Sequence, residues 1–309
     1  MRIVIAGGTG LIGRALVEDL VGAGHDIVVL SRNSAVQSST FPEGVQLAQW
    51  DASEIGDWSR LVDGSDVVVN FAGENIAGER FLPGRWTEAK KRLLKSSRVD
   101  AGEVISRSIA EANARPRALI QASAVGYYGP RGDEIVTEST SAGYDYLAKL
   151  CAAWEESSEG VEQHGVRRVI LRTGLVLSTR GGPLPRLIKQ YRLFAGGPFG
   201  NGEQYWPWIH LDDVVGAIRF LMEDDSANGP FNVTSPTPVT NRQFSKAFGR
   251  VLGRPSFWPI PAFVMKLLVG EVSVVVLKGQ RAIPEKLNSL GFYFEFSDLG
   301  AALEDVMGR

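Results

Sequence analysis

The sequence predicts an α/β fold, a Rossmann-type doubly wound parallel sheet with a smaller C-terminal α+β lobe. The first observation is that short β-branched runs alternate with longer stretches of helical periodicity; the runs are RIVIA, DIVVLS, SDVVVNFAG, RALIQAS and RRVILRTG. Near-continuous apolar strands separated by helices are typical of a parallel sheet that is covered on both faces. The second observation is a glycine-rich turn, GGTG, directly after the first strand.

The regular alternation ends after about Leu177. Gly and Pro clusters, RGGPLP and AGGPFGNG, are followed by the aromatic run YWPWIH and by amphipathic stretches such as TNRQFSKAFGRVLG. We therefore expect residues 1–177 to form the Rossmann domain, with its sheet completed by segments from residues 203–235. Residues 178–309 are expected to form mainly the smaller substrate lobe.

The charge of the chain excludes a nucleic-acid partner. The 33 Lys and Arg residues and the 35 Asp and Glu residues are interspersed and give a formal net charge of -2. Such a chain has no extended basic surface that would attract a polyanion. We expect a small-molecule substrate as the partner, and the sequence leaves the oligomeric state open.

The cysteine content and the apolar runs indicate the compartment. Cys151 is the only cysteine, so no intrachain disulfide forms, and no His, Cys or Asp grouping has metal-ligand spacing, so we predict no metal. The N-terminus lacks the apolar stretch of a signal peptide, and the longest apolar run is interrupted by Lys266 and Glu271. We expect a cytoplasmic protein, or the mature form of an organelle protein, with no membrane partner.

The glycine turn has the spacing of a nucleotide-binding loop. Gly7, Gly10 and Gly13 form G-x-x-G-x-x-G between the first strand and a helix-like stretch that begins at Leu11. In a loop of this kind one glycine makes the turn, one lets the backbone approach a pyrophosphate, and one lets the helix pack on the strand. The strand, turn and helix order therefore predicts a bound nucleotide rather than a purely structural turn.

The end of the second predicted strand indicates which nucleotide is bound. NAD sites usually place Asp or Glu there to accept hydrogen bonds from the ribose hydroxyls, but this chain has Ser31 and Arg32. A hydroxyl and a guanidinium bind a 2′-phosphate, which an acidic residue would repel. The predicted cofactor is NADP(H).

Further motifs resemble those of the short-chain dehydrogenase/reductase superfamily in its extended, epimerase-like form. They are GGTGLIG, the NFAG of residues 70–73 and the SAVGYYG of residues 123–129. NFAGENIAG, YWPWIHLDD and GQRAIPEKLNSLGFYF are similar to one branch of that superfamily, called epimerase/dehydratase-like or cell-division-inhibitor-like, which carries its own C-terminal domain of unknown function. The resemblance covers essentially the whole chain and is specific to the family rather than to a substrate.

The resemblance implies roles for residues around the cofactor. Those around the pyrophosphate are Gly7, Thr9, Gly10, Leu11, Ile12 and Gly13. Ser31 and Arg32 would bind the 2′-phosphate, and Asp51 would lie near the adenine amine. Ala72, Gly73 and Glu74 would line the nicotinamide side, with a helix-capping role for Glu74 as the alternative.

The catalytic residues implied by the resemblance are incomplete. The superfamily uses a Tyr, a Lys four residues later and a Ser or Thr, but four residues before Lys149 stands Asp145. In one interpretation Tyr146 or Tyr127 replaces the missing phenol and Ser123 assists it. In a second, Asp145 is the acid, although the lysine would lower its pKa. In a third, Lys149 only contacts the ribose and the standard chemistry is lost.

Side chains in the loops and the second half of the chain are candidates for the substrate wall. They offer stacking surfaces and positive charge, and they are Arg85, Trp86, Arg172, Trp206 and His210. Asp212 is expected to cap the helix that follows His210. Together these features predict an NADP(H)-dependent oxidoreductase or epimerase for a small polar, sugar-nucleotide-like substrate. The alternative is a non-catalytic regulator that binds NADP(H).

Overall fold

The computed structural model describes residues 1–33, 40–78 and 84–308. Its strands, in chain order, are β1 (Arg2–Ala6), β2 (Asp26–Ser31), β3 (Gln46–Gln49), β4 (Val67–Asn70), β5 (Ala118–Ala124), β6 (Ile135–Val136), β7 (Arg167–Thr173), β8 (Leu175–Leu177), β9 (Tyr205–Trp206), β10 (Trp208–His210), β11 (Gly229–Val233), β12 (Val239–Thr240) and β13 (Arg281–Ala282). Its helices are α1 (Leu11–Gly22), α2 (Glu88–Glu111), α3 (Tyr146–Glu156), α4 (Leu184–Arg192), α5 (Leu211–Glu223), α6 (Asn241–Leu252), α7 (Ala262–Val269), α8 (Val274–Leu277), α9 (Glu285–Ser289) and α10 (Leu299–Val306).

Seven of the strands form one parallel sheet in the order β3, β2, β1, β4, β5, β7 and β11. The predicted doubly wound α/β fold is thereby confirmed. The last strand, β11, comes from the part of the chain that was expected to complete the sheet. Because all seven strands are parallel, their carboxyl ends lie along one edge. The winding direction reverses between β1 and β4, which is where open α/β sheets bind ligands.

Each face of the sheet is buried by different helices. On β1, Ile3 and Ile5 belong to one core with α1 and α5, while Val4 and Ala6 belong to a second core with α2. This alternation follows from the pleat of a strand, which points successive side chains to opposite faces. It also explains the sequence pattern, because a strand buried on both sides is apolar throughout.

The second lobe has a separate aromatic core. Trp206, Trp208, Phe244 and Phe248 are buried together with the side chains of α4 and α10. Two pairs of short strands, β8 with β10 and β6 with β13, join this lobe to the sheet domain, and a third pair, β9 with β12, lies within the lobe. The lobe therefore packs over the carboxyl edge of the sheet.

A buried ion pair ties the middle strands to α3. Two guanidinium nitrogens of Arg172 on β7 donate to the carboxylate of Glu155 on α3, Nε at 2.9 Å and Nη2 at 2.8 Å. Oγ of Ser123 on β5 donates to the same carboxylate at 2.6 Å. Burial opposes the charge on Arg172, but its hydrogen bonds to Glu155 outweigh that effect and raise the pKa of the guanidinium. Three elements of the fold thus meet at one carboxylate.

The helices of the described ranges are all too short or too polar to cross a membrane.

We expect Glu155→Ala to destabilise the protein by about 3–5 kcal/mol, because it leaves the guanidinium of Arg172 buried without its carboxylate. Urea denaturation followed by circular dichroism measures this loss. Glu18→Ala is the matched control, since Glu18 pairs with Arg180 at the surface and both side chains are about half exposed. The control should lose less than about 1 kcal/mol. Equal losses in the two variants would contradict the structural role of the buried pair.

Candidate functional site

Two of the three motif glycines are required by the packing of the protein itself. Gly7 has a φ of +75°, and a Cβ built on it would lie 2.5 Å from the carbonyl carbon of Phe71. A Cβ on Gly13 would lie 2.5 Å from the carbonyl oxygen of Gly7. These contacts bring β1, the following helix and the end of β4 closer together than any side chain would allow.

Gly10 is different, because the protein gives no packing reason for a glycine there. Its φ of -75° suits any residue, and among the described residues the nearest atom to a Cβ would be the carbonyl oxygen of Gly7, at 3.4 Å. Gly10 is also the N-cap of α1, and no side chain caps that helix. The free amides at its start, those of Leu11 and Ile12 included, make an anion site. The turn thus fits the pyrophosphate of a dinucleotide.

Thr9 lies in the same turn and contributes its backbone. Its carbonyl oxygen accepts a hydrogen bond from Nε of Arg14, at 2.8 Å. This bond holds the turn against the first turn of α1.

The end of β2 places Ser31 and Arg32 beside this turn. Ser31 is buried, and its Oγ accepts a hydrogen bond from the amide of Asn33 at 3.3 Å, while Arg32 is exposed. Asp51, after β3, closes a turn of its own. Its Oδ1 accepts the amides of Ser53 and Glu54, and these bonds lower the pKa of the carboxyl. One oxygen of Asp51 is therefore committed to the backbone.

The loop after β4 is held from inside the protein. Oδ1 of the buried Asn70 accepts the amide of Ala72 at 3.1 Å, which sets the path of the chain into Gly73. The carboxylate of Glu74 binds Nζ of Lys90 on α2 at 2.8 Å. Glu74 is thus turned toward α2 by an ion pair, and its backbone rather than its carboxylate belongs to the loop that would face the nicotinamide.

A buried arginine lies behind this loop. The guanidinium of Arg98 on α2 donates to the carbonyl oxygens of Leu94 at 3.0 Å and Glu74 at 2.9 Å, and it lies 4.9 Å from the ring centroid of Trp154. A Cβ on Gly73 would lie 3.2 Å from its Cζ. Desolvation lowers the pKa of Arg98, and no described carboxylate lies within ion-pair distance of it.

Sequence reasoning missed Arg98, although one signal was present. Leu94, Arg98 and Ala101 recur at i, i+4 and i+7 on α2, so Arg98 occupies a position on the buried stripe of an amphipathic helix. A charged residue on such a stripe is costly to bury and is therefore a candidate for a function.

The start of α3 differs from the helix that the catalytic hypotheses assumed. Asp145 is the N-cap, and its Oδ1 accepts the amide of Ala148 at 2.9 Å, so its carboxylate caps a helix. The hydroxyl of Tyr146 donates to the carbonyl oxygen of Lys91 at 3.1 Å, and its ring packs against Trp86. Both groups are held by neighbouring protein atoms.

The face of α3 that meets the end of β5 carries Leu147 and Cys151. A Cβ on Gly126, just after β5, would lie 3.6 Å from Sγ of Cys151 and from Cβ of Leu147. Burial raises the pKa of the Cys151 thiol to about 12. Lys149 is exposed, because it lies two residues from each of these and so about 200° around the helix. In the part of the chain that the structure describes, Lys149 is therefore turned away from the end of β5.

Ser123 and Arg172 belong to the buried network around Glu155 rather than to an open wall. The guanidinium of Arg172 covers the ring of Tyr127, with Cζ 3.5 Å from the ring centroid. It also donates to the hydroxyl of Tyr128 at 3.1 Å, and that hydroxyl donates to Asn232. Burial raises the pKa of Tyr128 to about 12. The hydroxyl of Tyr127 has no hydrogen-bond partner among the described residues.

The other predicted substrate residues are spread over the structure. Arg85 donates to the carbonyl oxygen of Leu267 at 2.5 Å. The buried Trp86 donates from Nε1 to the carbonyl oxygen of Ile76 at 2.8 Å, and Trp206 is inside the core of the second lobe. These side chains stabilise loops and cores, and the structure does not gather them into one wall.

His210, not Asp212, caps α5, which corrects the sequence-based expectation. Nδ1 of the buried His210 accepts the amide of Asp212 at 3.2 Å, because the helix begins one residue earlier than predicted, at Leu211. Nε2 lies 3.2 Å from Oδ2 of Asp305.

The ligand atoms of His210, Asp212 and Asp305 lie within 4.8 Å of one another. The spacing in the sequence did not reveal this group, because Asp305 comes from the far C-terminal helix. Since Nδ1 accepts a hydrogen bond, the ring proton is on Nε2, which is then not available to a metal. The group has the geometry of a helix cap with a further carboxylate beside the ring.

Comparison with known proteins extends over the whole chain. Residues 3–234 match the NAD dependent epimerase/dehydratase family, and residues 260–306 match a domain of unknown function, DUF1731. Epimerase family protein YfhF of Bacillus subtilis is 38% identical over 308 residues, which cover 99% of this chain and 98% of that protein.

Two solved structures show the same fold. The structure of human epimerase family protein SDR39U1 (isoform 2) with NADPH has a TM-score of 0.88 and 31% identity, covering 100% of both chains. UDP-glucuronic acid 4-epimerase from Bacillus cereus, in complex with NAD, has a TM-score of 0.77 and 19% identity, covering 99% of this chain and 96% of that one. The second likeness concerns the fold alone.

Gly10→Ala should lower the free energy of unfolding by no more than about 1 kcal/mol, because alanine is a poorer N-cap than glycine, and should raise the Kd for NADPH about tenfold or more, because the new methyl group occupies the approach to the amides of α1. Gly13→Ala should instead lower the free energy of unfolding by about 1–3 kcal/mol through its clash with Gly7. Thermal unfolding measures the stability of both variants, and NADPH titration measures their affinity for the cofactor. A Gly10→Ala protein that binds NADPH like the wild type would contradict the role of Gly10 in cofactor binding.

Lys149→Ala should leave the Kd for NADPH within about twofold, because its side chain lies about 200° around α3 from the face that meets the end of β5. Arg98→Met removes a buried charge behind the Gly73 loop and should weaken binding about tenfold. Fluorescence titration measures both constants, and Arg98→Lys, which keeps the charge, should restore part of the affinity. A large loss of NADPH affinity in Lys149→Ala alone would instead indicate that Lys149 contacts the cofactor.

Proposed function

The chain belongs to the NAD dependent epimerase/dehydratase family, and from this premise we propose that it is an NADP(H)-dependent oxidoreductase acting on a small polar substrate. The resemblance to the extended short-chain dehydrogenase/reductase branch with its own C-terminal domain is confirmed by the matches to both parts of the chain. The family fold binds a nicotinamide dinucleotide at the carboxyl edge of the sheet.

The observation that supports NADP(H) is the pair Ser31 and Arg32 at the end of β2, beside the turn where Gly10 leaves the approach to α1 open. A hydroxyl and an exposed guanidinium complement a 2′-phosphate, and no acidic side chain stands at that position. The human relative that shares the fold over its whole length was solved with NADPH. When bound, the cofactor supplies or accepts a hydride at C4 of its nicotinamide.

The inward face of α3 supplies no proton donor, so the donor must come from elsewhere in the site. Reducing a carbonyl with a hydride also needs a group that delivers a proton to the oxygen, and the reverse oxidation needs the same group to remove it. Leu147 has no such proton, and the thiol of Cys151 has a pKa of about 12. Of the predicted proton donors, Tyr127 keeps a hydroxyl without a described partner, and we retain it as the donor. The hydroxyl of Ser123 donates to Glu155, so we assign Ser123 to positioning Glu155 and its partner Arg172.

A second candidate function, a non-catalytic regulator that responds to NADP(H), is favoured by the same inward face. The positions of α3 nearest the end of β5 hold an alkyl group and a buried thiol, and the only lysine of the helix is exposed. A protein of this kind would bind the cofactor tightly and show a partner affinity that depends on the redox state of the cofactor.

Turnover separates the two functions. Purified protein is titrated with NADPH, with energy transfer from tryptophan to the reduced nicotinamide as the signal, and then assayed for NADPH oxidation with a panel of carbonyl compounds and nucleotide sugars. For an enzyme, Tyr127→Phe should lower kcat about 100-fold with the Kd for NADPH unchanged. Saturable NADPH binding without turnover on any substrate favours the regulator.

Arg32→Asp tests the cofactor assignment by itself. An acidic side chain would repel the 2′-phosphate, so we expect the Kd for NADPH to rise about 100-fold while the Kd for NADH changes less than about threefold. Parallel titrations with the two cofactors measure the ratio. Equal losses for NADPH and NADH would refute a phosphate contact at Arg32.

A further inference from the structure

One side of the second lobe exposes an unusual number of large apolar side chains. Seven of them are between 51% and 72% exposed. They are Leu193, Phe194, Phe257, Trp258, Phe263, Leu267 and Leu268. We call the surface formed by these residues the apolar face. Single exposed apolar side chains are normal on soluble proteins, whereas a group of this size marks an interaction surface.

The apolar face is continuous because its two segments are joined. The amide of Gly200 donates to the carbonyl oxygen of Ile260 at 2.9 Å, and the amide of Ile260 donates to that of Pro198 at 2.8 Å. The guanidinium of Arg254 lies 4.8 Å from the ring centroid of Phe194. Residues 193–200 and 254–268 therefore form one surface region.

Helix α7 contributes a regular apolar ridge to this face. Phe263 and Leu267 are four residues apart and so lie one above the other on the same side of the helix. Their exposed fractions are 71% and 69%. The opposite side of the helix, which includes the buried Val269, packs against the loop before α2. The ridge therefore points away from the body of the protein.

The charge of these segments is one-sided, although the chain as a whole is slightly acidic. Residues 193–200 and 254–268 contain Arg254 and Lys266 and no Asp or Glu, and the exposed Arg192 directly precedes the first segment. A partner that covers this face must therefore tolerate positive charge beside a large apolar area.

A second copy of the chain fits this surface poorly. In a two-fold dimer the same patch meets itself, so the basic residues of one copy would face those of the other. An anionic lipid surface has the complementary charge. Phe and Trp side chains among Lys and Arg are also the composition with which proteins enter the headgroup region of a bilayer.

We propose that the apolar face binds the surface of an anionic membrane, with Trp258 and Phe263 in the headgroup region and the basic residues near lipid phosphates. The protein lies on such a membrane and does not span it. The proposal is independent of the cofactor and of the reaction. It concerns binding at the membrane surface. The finding that no helix of the described ranges could cross a membrane has no bearing on such binding.

The tryptophans of this chain allow a direct test. Trp258 is 72% exposed, whereas the other six tryptophans are buried at 8% exposure or less. The protein is mixed with vesicles of phosphatidylcholine and phosphatidylglycerol in which some lipid carries bromine on its acyl chain. We expect a blue shift and bromine quenching of Trp258. Both signals should weaken about tenfold in salt of 0.5 M or with phosphatidylcholine alone.

Surface variants identify the residues responsible. Phe263→Ser combined with Leu267→Ser should lower vesicle binding about tenfold or more through lost apolar burial, and Arg192→Glu combined with Lys266→Glu should lower it similarly through charge. Tyr293→Ser is the matched control, because Tyr293 is 84% exposed but lies outside both segments. Circular dichroism confirms that each variant is folded.

Two results would overturn the proposal. The first is the absence of quenching at saturating brominated lipid of either composition. The second is a stable dimer in sedimentation, with Trp258 already protected from acrylamide and with Phe263→Ser plus Leu267→Ser producing monomers. That outcome would assign the apolar face to a second copy of this chain.

Discussion

The buried ion pair between Glu155 and Arg172 is the interaction on which the edge of the sheet depends. It joins α3 to β7, accepts the hydroxyl of Ser123 from β5, and holds the aromatic pair after β5 under the guanidinium. A charge pair at this depth is costly to bury and is retained only with full hydrogen bonding, which this pair has on both partners. It therefore fixes the turn after β5 against β7 and α3.

The glycine turn shows how one motif serves two purposes. Gly7 and Gly13 allow backbone contacts that any Cβ would prevent, whereas at Gly10 no atom of the described residues lies closer than 3.4 Å to the Cβ position. The motif as a sequence pattern does not distinguish these roles, because all three positions carry the same residue. The structure separates them through the neighbours of each absent side chain. The open position is then the one that concerns a ligand, and the closed positions concern the fold.

For the segment around Tyr146 and Lys149, the local sequence pattern was not enough to predict which side chains face the sheet. The spacing of Tyr146 and Lys149 suggested a shared helical face, but α3 turns Leu147 and Cys151 toward β5 and leaves Lys149 in solvent. The face of a helix that becomes buried is set by packing against distant strands and against α2, which the segment itself does not encode. Arg98 was missed for the same reason, since its neighbour Gly73 belongs to another element.

The sequence by itself determined the parallel sheet, the position of the nucleotide turn and the basic character of the end of β2. These features follow from short-range rules, namely the apolar strand pattern, the glycine spacing and the charge of one loop. Only the tertiary structure decided that His210 caps α5, that Arg98 lies behind the cofactor loop, and that one side of the second lobe remains apolar and exposed. Each of these depends on contacts between residues far apart in the chain, and local propensities do not specify which distant surfaces meet.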